Sequence, residues 1–348
     1  MSSQSSADHL PPKKDLRSAA MIPLLLLAGG SIALVFTMGL SIIYGASDID
    51  LATIWLSLTQ FDASLPAHQI IMNLRIPRAL AGALIGAALA MSGSIMQGMT
   101  RNPLASPSIM GVTAGAMFMM AIALAMMPSA SNLTLMLWAF LGAGLGTSIV
   151  FLVGSVSKSG LTPAKLALAG TAVTALFTSV SSAITIHFNI AKDISFWYAG
   201  GLSGVQWVHI KLLAPVALFG IILALLIGRS ISALSLGEDM ARGMGHRTHL
   251  VKFAGTIVVL LLTGAAVSVS GTIGFIGLVI PHITRFLVGA DYRIIIPCSA
   301  VLGGILLVAA DTVSRMINPP FETPVGTVTA LVGVPFFLYL ARKEGRNL

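Results

Sequence analysis

Apolar stretches of about 20 residues recur along this chain, and short polar segments between them hold most of its charged side chains. A helix of that length crosses the hydrocarbon core of a bilayer, which is roughly 30 Å thick. Only 9% of the 348 residues are Asp, Glu, Lys or Arg, whereas soluble domains carry roughly 25%. Alternating strands of about 10 residues, the pattern of a membrane β-barrel, do not occur. The sequence therefore predicts an all-α integral membrane protein.

The apolar stretches predict ten membrane spans, preceded by a polar tail of residues 1–18 and followed by a tail of residues 343–348. The first stretch exceeds the apolar core of a signal peptide, about 7 to 15 residues, so it is predicted to remain as a span. The eighth is the weakest, because Pro281, His282 and Arg285 interrupt it, and it is predicted as a kinked helix or a half-span. The predicted spans, within a membrane domain of residues 19–342, are 19–44, 78–99, 109–127, 133–154, 164–188, 208–227, 253–269, 275–287, 294–316 and 325–341.

The basic residues indicate how the chain is oriented in the membrane. Ten spans place both termini on one side, and with the termini inside, the inner segments hold 15 Lys and Arg residues against 5 outside. Since basic loops stay in the cytoplasm, both termini and the loop of residues 229–252 are predicted to be cytoplasmic. The chain has a net charge of +8, but its charged residues lie between the apolar stretches and form no basic stripe interleaved with aromatic residues. No nucleic-acid partner is therefore predicted.

No sequence signature of catalysis is present. The chain lacks a phosphate loop, an H-E-x-x-H motif, a G-x-S-x-G motif and the clustered acids that hold magnesium. His246 and His249 are three residues apart, but no further Cys or acidic ligand is patterned with them, so no metal site is predicted. The single cysteine, Cys298, excludes an internal disulfide and is predicted to be a small buried residue. Energy for uphill transport would have to come from an ion gradient or a separate subunit.

The second span carries small residues at every fourth position: Gly82, Gly86, Ala90, Ser94 and Gly98. A four-residue step drifts slowly around a helix, so these residues form one narrow stripe that a neighbouring backbone can approach closely. The stripe predicts either tight packing in a helix bundle or a helix that lines a central path.

Several charged residues are predicted near the outer ends of the spans. Arg75 and Arg78, in the segment RIPR, could anchor the chain at lipid headgroups or bind carboxylates of an extracellular partner through bidentate pairs. Asp311 precedes Arg315 by one helical turn, so the two can neutralise each other. An acid within a span can also relay protons, which would make the protein a secondary transporter driven by Asp311.

The cytoplasmic loop contains the segment LGEDMARGMG, in which charged residues alternate with apolar ones. Leu236, Met240 and Met244 recur at four-residue spacing, which predicts a short amphipathic helix bounded by Gly237 and Gly245. Such a helix could lie in a groove of another protein, or it could be a solvated turn that rests on the membrane.

Four long segments, in the same order, resemble the FecCD-type permeases of type II ABC importers, which carry ferric siderophores, haem or cobalamin. The resemblance runs from about Ala19 to the C-terminus and is closest to Gram-positive ferric-siderophore permeases, although haem permeases share most of the motifs. The segments are RIPRALAGALIGAALAMSGSIMQGMTRNPLASPSIMGVTAG (75–115), SLGEDMARGMG (235–245), GTIGFIGLVIPHITRFLVG (271–289) and FETPVGTVTALVGVPFFLYL (321–340).

The resemblance implies a ten-helix permease, with the type II ABC importer fold, in the cytoplasmic membrane of a bacterium. It pairs with an identical or homologous permease subunit, and the solute path follows the dimer interface. Two ABC ATPase subunits bind the cytoplasmic face and use ATP and magnesium, while the permease has no catalytic site and binds no cofactor itself. An extracytoplasmic siderophore-binding protein or lipoprotein delivers the cargo and supplies most of the specificity.

The resemblance also implies roles for particular residues. The loop helix is similar to the family's ATPase-coupling helix, and RNPL corresponds to a cytoplasmic constriction of the path. A second gate is implied at LTPAK, where Pro163 replaces the expected small hydroxyl residue. The implied residues are Gly237, Glu238, Ala241 and Gly245 for coupling; Arg75, Arg78 and Arg315 for docking of the binding protein; and Asn102, Leu104, Thr162 and Pro163 for the gates.

Overall fold

The computed structural model describes residues 16–45, 49–155, 163–319 and 321–344, and within these ranges the ordered elements are all helices. A π-helical turn (Ile71–Arg75) joins α3 to α4, and a 3-10 turn (Pro107–Met110) precedes α5. The α-helices are α1 (Leu16–Ile43), α2 (Leu51–Thr59), α3 (Pro66–Ile70), α4 (Ile76–Thr100), α5 (Val112–Met126), α6 (Asn132–Ser155), α7 (Pro163–His187), α8 (Ala191–Tyr198), α9 (Trp207–Ser235), α10 (Glu238–Gly243), α11 (Thr248–Ser270), α12 (Ile276–Val288), α13 (Tyr292–Met316) and α14 (Val325–Glu344).

The long apolar helices coincide with the predicted spans, which confirms the all-α membrane class. In the described part of the chain, 7 helical segments are long and apolar enough to cross a membrane. The third, eighth and tenth predicted spans correspond to the shorter apolar helices Val112–Met126, Ile276–Val288 and Val325–Leu340. A count of ten crossings therefore stays a prediction.

The eighth predicted span is a short helix that begins after a non-helical segment. Gly271 and Phe275 both have positive φ angles, 65° and 68°, and α12 starts at Ile276. Its 13 residues extend for about 20 Å at 1.5 Å per residue, which is less than the hydrocarbon core. The helix is thus shorter than a straight full span, and the choice between a kinked crossing and a half-span stays a prediction.

Helix α4 lies at the centre of the bundle, in contact with α9, α11, α12 and α13. A Cβ atom added to Gly86 would lie 2.2 Å from the carbonyl oxygen of Gly303 on α13. A Cβ on Gly93 would lie 1.9 Å from the carbonyl oxygen of Gly277 on α12. The two backbones approach α4 so closely because it has no side chain at these positions.

The stripe of small residues on α4 faces α13 along its whole length. Gly82 lies against Val308, and Ala90 lies against Gly303. The Ser94 hydroxyl donates a 3.0 Å hydrogen bond to the Ser299 hydroxyl, and Gly98 lies against the ring of Tyr292. The packing interpretation is confirmed, and the alternative that the stripe lines a path is wrong.

Gly86→Ala is expected to lower the melting temperature of the detergent-solubilised protein by several degrees. The added methyl group overlaps the Gly303 carbonyl, and such overpacking costs about 1–3 kcal/mol. Gly39→Ala on α1 is the matched control, since no atom of the described residues outside the adjoining turns of α1 lies within 4 Å of its Cβ position. A thiol-reactive dye measures unfolding, because the single cysteine, Cys298, is fully buried. Equal melting temperatures for the two variants would contradict the packing account.

Candidate functional site

A buried ion cluster joins α4, α13 and the segment before α14 at the end of the bundle that is predicted to be outside. The Arg78 guanidinium donates to both carboxylate oxygens of Asp311, and its shortest bonds, from Nε to Oδ2 and from Nη2 to Oδ1, are both 2.9 Å long. Its Nη1 donates a 2.7 Å hydrogen bond to Oε1 of Glu322. Asp311 is only 1% exposed, whereas the Glu322 side chain is 36% exposed. The same guanidinium therefore has one buried acidic partner and one that solvent can reach.

Two further arginines of this cluster hold the C-terminal end of α1. Arg315 Nη2 donates to the Ser41 carbonyl (3.1 Å) and to the Ser41 hydroxyl (2.7 Å). Arg75 Nη1 donates to the carbonyls of Ile42 and Ile43 at 2.6 and 2.7 Å. The last carbonyls of a helix lack partners within the helix and carry partial negative charge, so guanidiniums stabilise them. These arginines fasten α1 to α4 and α13.

The cluster contains the predicted pair of Asp311 and Arg315 together with partners that sequence reasoning missed. Arg315 Nε lies 3.4 Å from Asp311 Oδ2, so the prediction from their four-residue spacing is confirmed. Arg78, which forms the shorter bonds to Asp311, lies 233 positions from Asp311 and 244 positions from its other partner, Glu322. Arg75, Arg78 and Arg315 are all buried, and their predicted role in docking a binding protein stays a prediction.

A cavity of about 780 Å³ opens beside the ion cluster. Arg78 and Glu322 lie on one wall, and Lys192, Asp193 and His209 contribute other ionisable groups. The remaining wall comes from the ends of α5, α6 and α11 and from the segment of residues 199–205. The lining of this outer cavity thus combines charged groups with apolar side chains such as Met120 and Leu124.

A second cavity, of about 660 Å³, lies among α5, α7, α8 and the non-helical segment before α12. The described residues that line it include no Asp, Glu, Lys, Arg or His. Its polar groups are side-chain hydroxyls and backbone amide groups, and its apolar side chains include Leu89, Met117 and Phe275. Sequence reasoning missed the lining residues Thr113, Thr174, Thr178 and Tyr198, because they come from different helices and no local pattern groups them.

The predicted gate residues have been located in part. The backbone N–H of Leu104 donates a 2.9 Å hydrogen bond to Asn102 Oδ1, which forms a turn just after α4. Asn102 is exposed, Leu104 is partly buried, and the turn leads into Ser106 on the wall of the second cavity. Thr162 lies outside the described residues, and Pro163 is the first residue of α7. The gate roles stay predictions.

The predicted amphipathic helix is present as α10, between α9 and α11. Gly237 and Gly245 flank it with φ angles of 126° and 84°, which side chains rarely adopt, so glycine is needed at both ends. Ala241 is buried against the bundle, while Leu236, Met240 and Met244 are each more than half exposed. The helix thus turns Ala241 inward and exposes Met240, and Leu236 and Met244, which flank the helix, add exposed apolar surface.

Ion pairs fix α10 to its neighbours. The Lys252 ammonium on α11 donates to Glu238, and Arg242 lies 3.5 Å from the same carboxylate. The hydrogen bond from Lys252 lowers the pKa of Glu238, against the smaller opposing effect of partial burial, and the nearby cations Arg242 and Arg101 lower it further. Glu238 therefore stays ionised at neutral pH and links α10 to α11.

Comparison with protein families identifies the chain. Residues 33–343 match the FecCD transport family. The chain belongs to the FecCD transport family. A FecCD relative from Bacillus subtilis (strain 168), the iron(3+)-hydroxamate import system permease protein FhuB, is 60% identical over 309 residues, which cover 89% of this chain and 80% of the relative. The iron-uptake system permease protein FeuB of the same organism is 46% identical over 313 residues, covering 90% of this chain and 94% of FeuB.

A solved structure agrees with the FecCD assignment. It is described as a metal-chelate type ABC transporter in an inward-facing conformation. The two chains superpose with a TM-score of 0.80 at 29% identity, over 91% of this chain and 98% of the other. The helical arrangement described above is therefore that of an ABC importer permease.

Asp311→Asn is expected to destabilise the protein strongly. Removing one partner of a buried ion pair leaves the other charge uncompensated, at a cost of about 3–5 kcal/mol. Adding Arg78→Gln to Asp311→Asn should recover part of that loss, and Glu322→Gln alone should have a small effect because Glu322 is partly exposed. The melting temperatures of all three variants are measured by the reaction of the thiol-reactive dye with Cys298. A wild-type melting temperature for Asp311→Asn would contradict the role given to the cluster.

Proposed function

We propose that this chain is the permease subunit of an ATP-driven importer that carries a ferric siderophore, of the hydroxamate class, across the cytoplasmic membrane of a bacterium. The observation that carries the proposal is α10, a helix rigidly fixed to two long spans that presents exposed apolar surface at one end of a FecCD permease. The chain crosses the membrane ten times, with α5, α12 and α14 as its short crossings and both termini in the cytoplasm.

The working unit contains partners that supply energy and cargo. A second permease, identical or homologous, completes the solute path. Two ATPase subunits bind ATP and magnesium and hydrolyse the nucleotide, while the permease performs no chemistry and needs no cofactor of its own. An extracytoplasmic binding protein delivers the iron complex.

The connections of α10 support its role in coupling. Helix α9 runs for 29 residues and ends one turn before α10, and α11 follows within a few residues. The pair of Glu238 with Lys252 adds a cross-link to α11. A displacement of α10 by an ATPase would therefore be transmitted along two spans, as rigid packed helices transmit small shifts.

Glu238→Arg is expected to leave membrane insertion intact and to release the ATPase in a pull-down. The change places three cations together, at residues 238, 242 and 252, and so breaks the attachment of α10 to α11. Asp62→Arg, which makes the same charge change in the segment between α2 and α3, is the control and should retain the ATPase. Full ATPase binding by Glu238→Arg would remove the basis for the coupling assignment.

The arginine cluster supports docking of an acidic partner in a specific way. Asp311 occupies the edge of the Arg78 guanidinium formed by Nε and Nη2, while Nη1 binds the partly exposed Glu322. A carboxylate of the binding protein would displace Glu322 and leave the pair with Asp311 intact. Replacing all three arginines would instead disrupt the buried ion cluster, so a loss of binding could not be separated from a loss of stability.

Glu322→Gln is therefore expected to increase the affinity of the binding protein for the permease several-fold. The substitution removes the internal competitor for Arg78 and leaves a net positive surface, so the gain should shrink as salt is added. Titration of the labelled binding protein onto the complex in nanodiscs measures it, with Asp62→Asn as the control for loss of one negative charge. Unchanged or weaker binding by Glu322→Gln would contradict docking at Arg78.

Two observations support a hydroxamate as the cargo. FhuB, a permease of iron(3+)-hydroxamate import, is 60% identical to this chain. The second cavity has no charged side chain among its described lining residues. Three hydroxamate groups neutralise Fe³⁺, whereas three catecholates leave a negative complex that an uncharged cavity would desolvate at high cost. Haem or cobalamin would be the alternative cargo for the same fold.

The competing function, a secondary transporter driven by protonation of Asp311, is disfavoured. The Asp311 carboxylate is held by the guanidiniums of Arg78 and Arg315. Its oxygens are engaged in two ion pairs, which makes Asp311 a structural link between α4 and α13.

A further inference from the structure

Helix α2 has its polarity reversed relative to a helix that faces water. Its 9 residues bury Ser57 completely, while Leu51 and Trp55 are each 67% exposed and Leu58 is 55% exposed. These three lie at positions i, i+4 and i+7 and so form one face. The Ser57 hydroxyl donates to the Ile54 carbonyl at 2.8 Å, so the inward face has no unsatisfied hydroxyl.

The apolar face of α2 follows, in the chain, a helix that also exposes apolar side chains. Helix α1, which crosses the membrane just before it, exposes Ile32, Val35 and Phe36. Tyr44, at the end of α1, is also exposed. Tyr and Trp side chains concentrate where a bilayer meets water, so Tyr44 and Trp55 both fit that level.

The length of the neighbouring span indicates the depth of α2. Helix α2 packs against α3 and the π-helical turn, at the start of the continuous helical segment Pro66–Thr100. Those 35 residues extend for about 50 Å at 1.5 Å per residue, well beyond the hydrocarbon core of roughly 30 Å. Helix α2 therefore lies at the height of the headgroups, and it is too short to cross the membrane.

The charges near α2 indicate which lipid chemistry it can recognise. The sequence has no Lys or Arg between Arg17 and Arg75. Asp50 caps the helix by accepting a hydrogen bond from the Thr53 N–H, and Asp62 follows it. The segment that contains α2 therefore offers no Lys or Arg side chain to anionic headgroups, and its binding must come from apolar burial.

We propose that α2 is an interfacial anchor that lies in the outer leaflet, with Leu51, Trp55 and Leu58 inserted at the boundary between headgroups and acyl chains. Its partner is the bilayer, of zwitterionic or anionic composition alike. The anchor holds the segment that carries Arg75 at a fixed depth beside the ion cluster. It rests on the proposed orientation of the chain, with both termini in the cytoplasm, and is independent of the cargo.

Fluorescence quenching by brominated phospholipids tests the anchor in nanodiscs that contain the wild-type complex. The emission of Trp55 is obtained by subtracting the fluorescence spectrum of the Trp55→Phe complex from that of the wild-type complex. Trp197, on the wall of the outer cavity, is the control, and its emission is obtained in the same way from Trp197→Phe. We expect bromines near the headgroup to remove most of the Trp55 emission and bromines deep in the chains to remove less. The loss should be the same in zwitterionic and anionic lipid, and Trp197 should be quenched little.

Three results would overturn the proposal. Trp55 could be quenched by aqueous acrylamide and not by brominated lipid, which would place it in water. Quenching by lipid could disappear when the binding protein or a second permease covers α2, which would make that protein the partner. Quenching could require anionic lipid, which would contradict recognition by apolar burial.

Discussion

The close backbone contact between α4 and its neighbours is the constraint on which the rest of this structure depends. In lipid there is little hydrophobic force between helices, so association relies on van der Waals packing and interhelical hydrogen bonds. Gly86 against Gly303 and Gly93 against Gly277 bring the backbones of α13 and α12 into contact with α4. Because α4 is central, the positions of its two ends determine where Arg78 and the RNPL turn lie.

Each end of α4 carries a different kind of polar site. At one end, beside the outer cavity, Arg78 binds the buried Asp311 and the partly exposed Glu322. At the other end, Arg101 adds positive charge near Glu238, and the turn of Asn102 leads to the second cavity. A docking event and an ATPase contact would thus act on opposite ends of the same buried helix, which suits a machine that alternates access.

Local features were predictable from the sequence, and features that depend on distant segments were not. Apolar length located the helices, the spacing of Asp311 and Arg315 predicted their contact, and Gly237 with Gly245 predicted α10. The pair of Arg78 with Asp311 joins residues 233 positions apart, and nothing local indicates it. The burial of the arginines and the second cavity likewise depend on how separate helices pack.

ATP-driven uptake by the reconstituted complex tests the central claim most directly. The permease, its ATPases and its binding protein are placed in proteoliposomes, and accumulation of radioactive iron is followed with ferric hydroxamate or ferric catecholate outside. The account predicts accumulation of the hydroxamate complex that requires ATP, is blocked by vanadate, survives a protonophore and exceeds that of the catecholate. Accumulation driven by a proton gradient without ATP would contradict it.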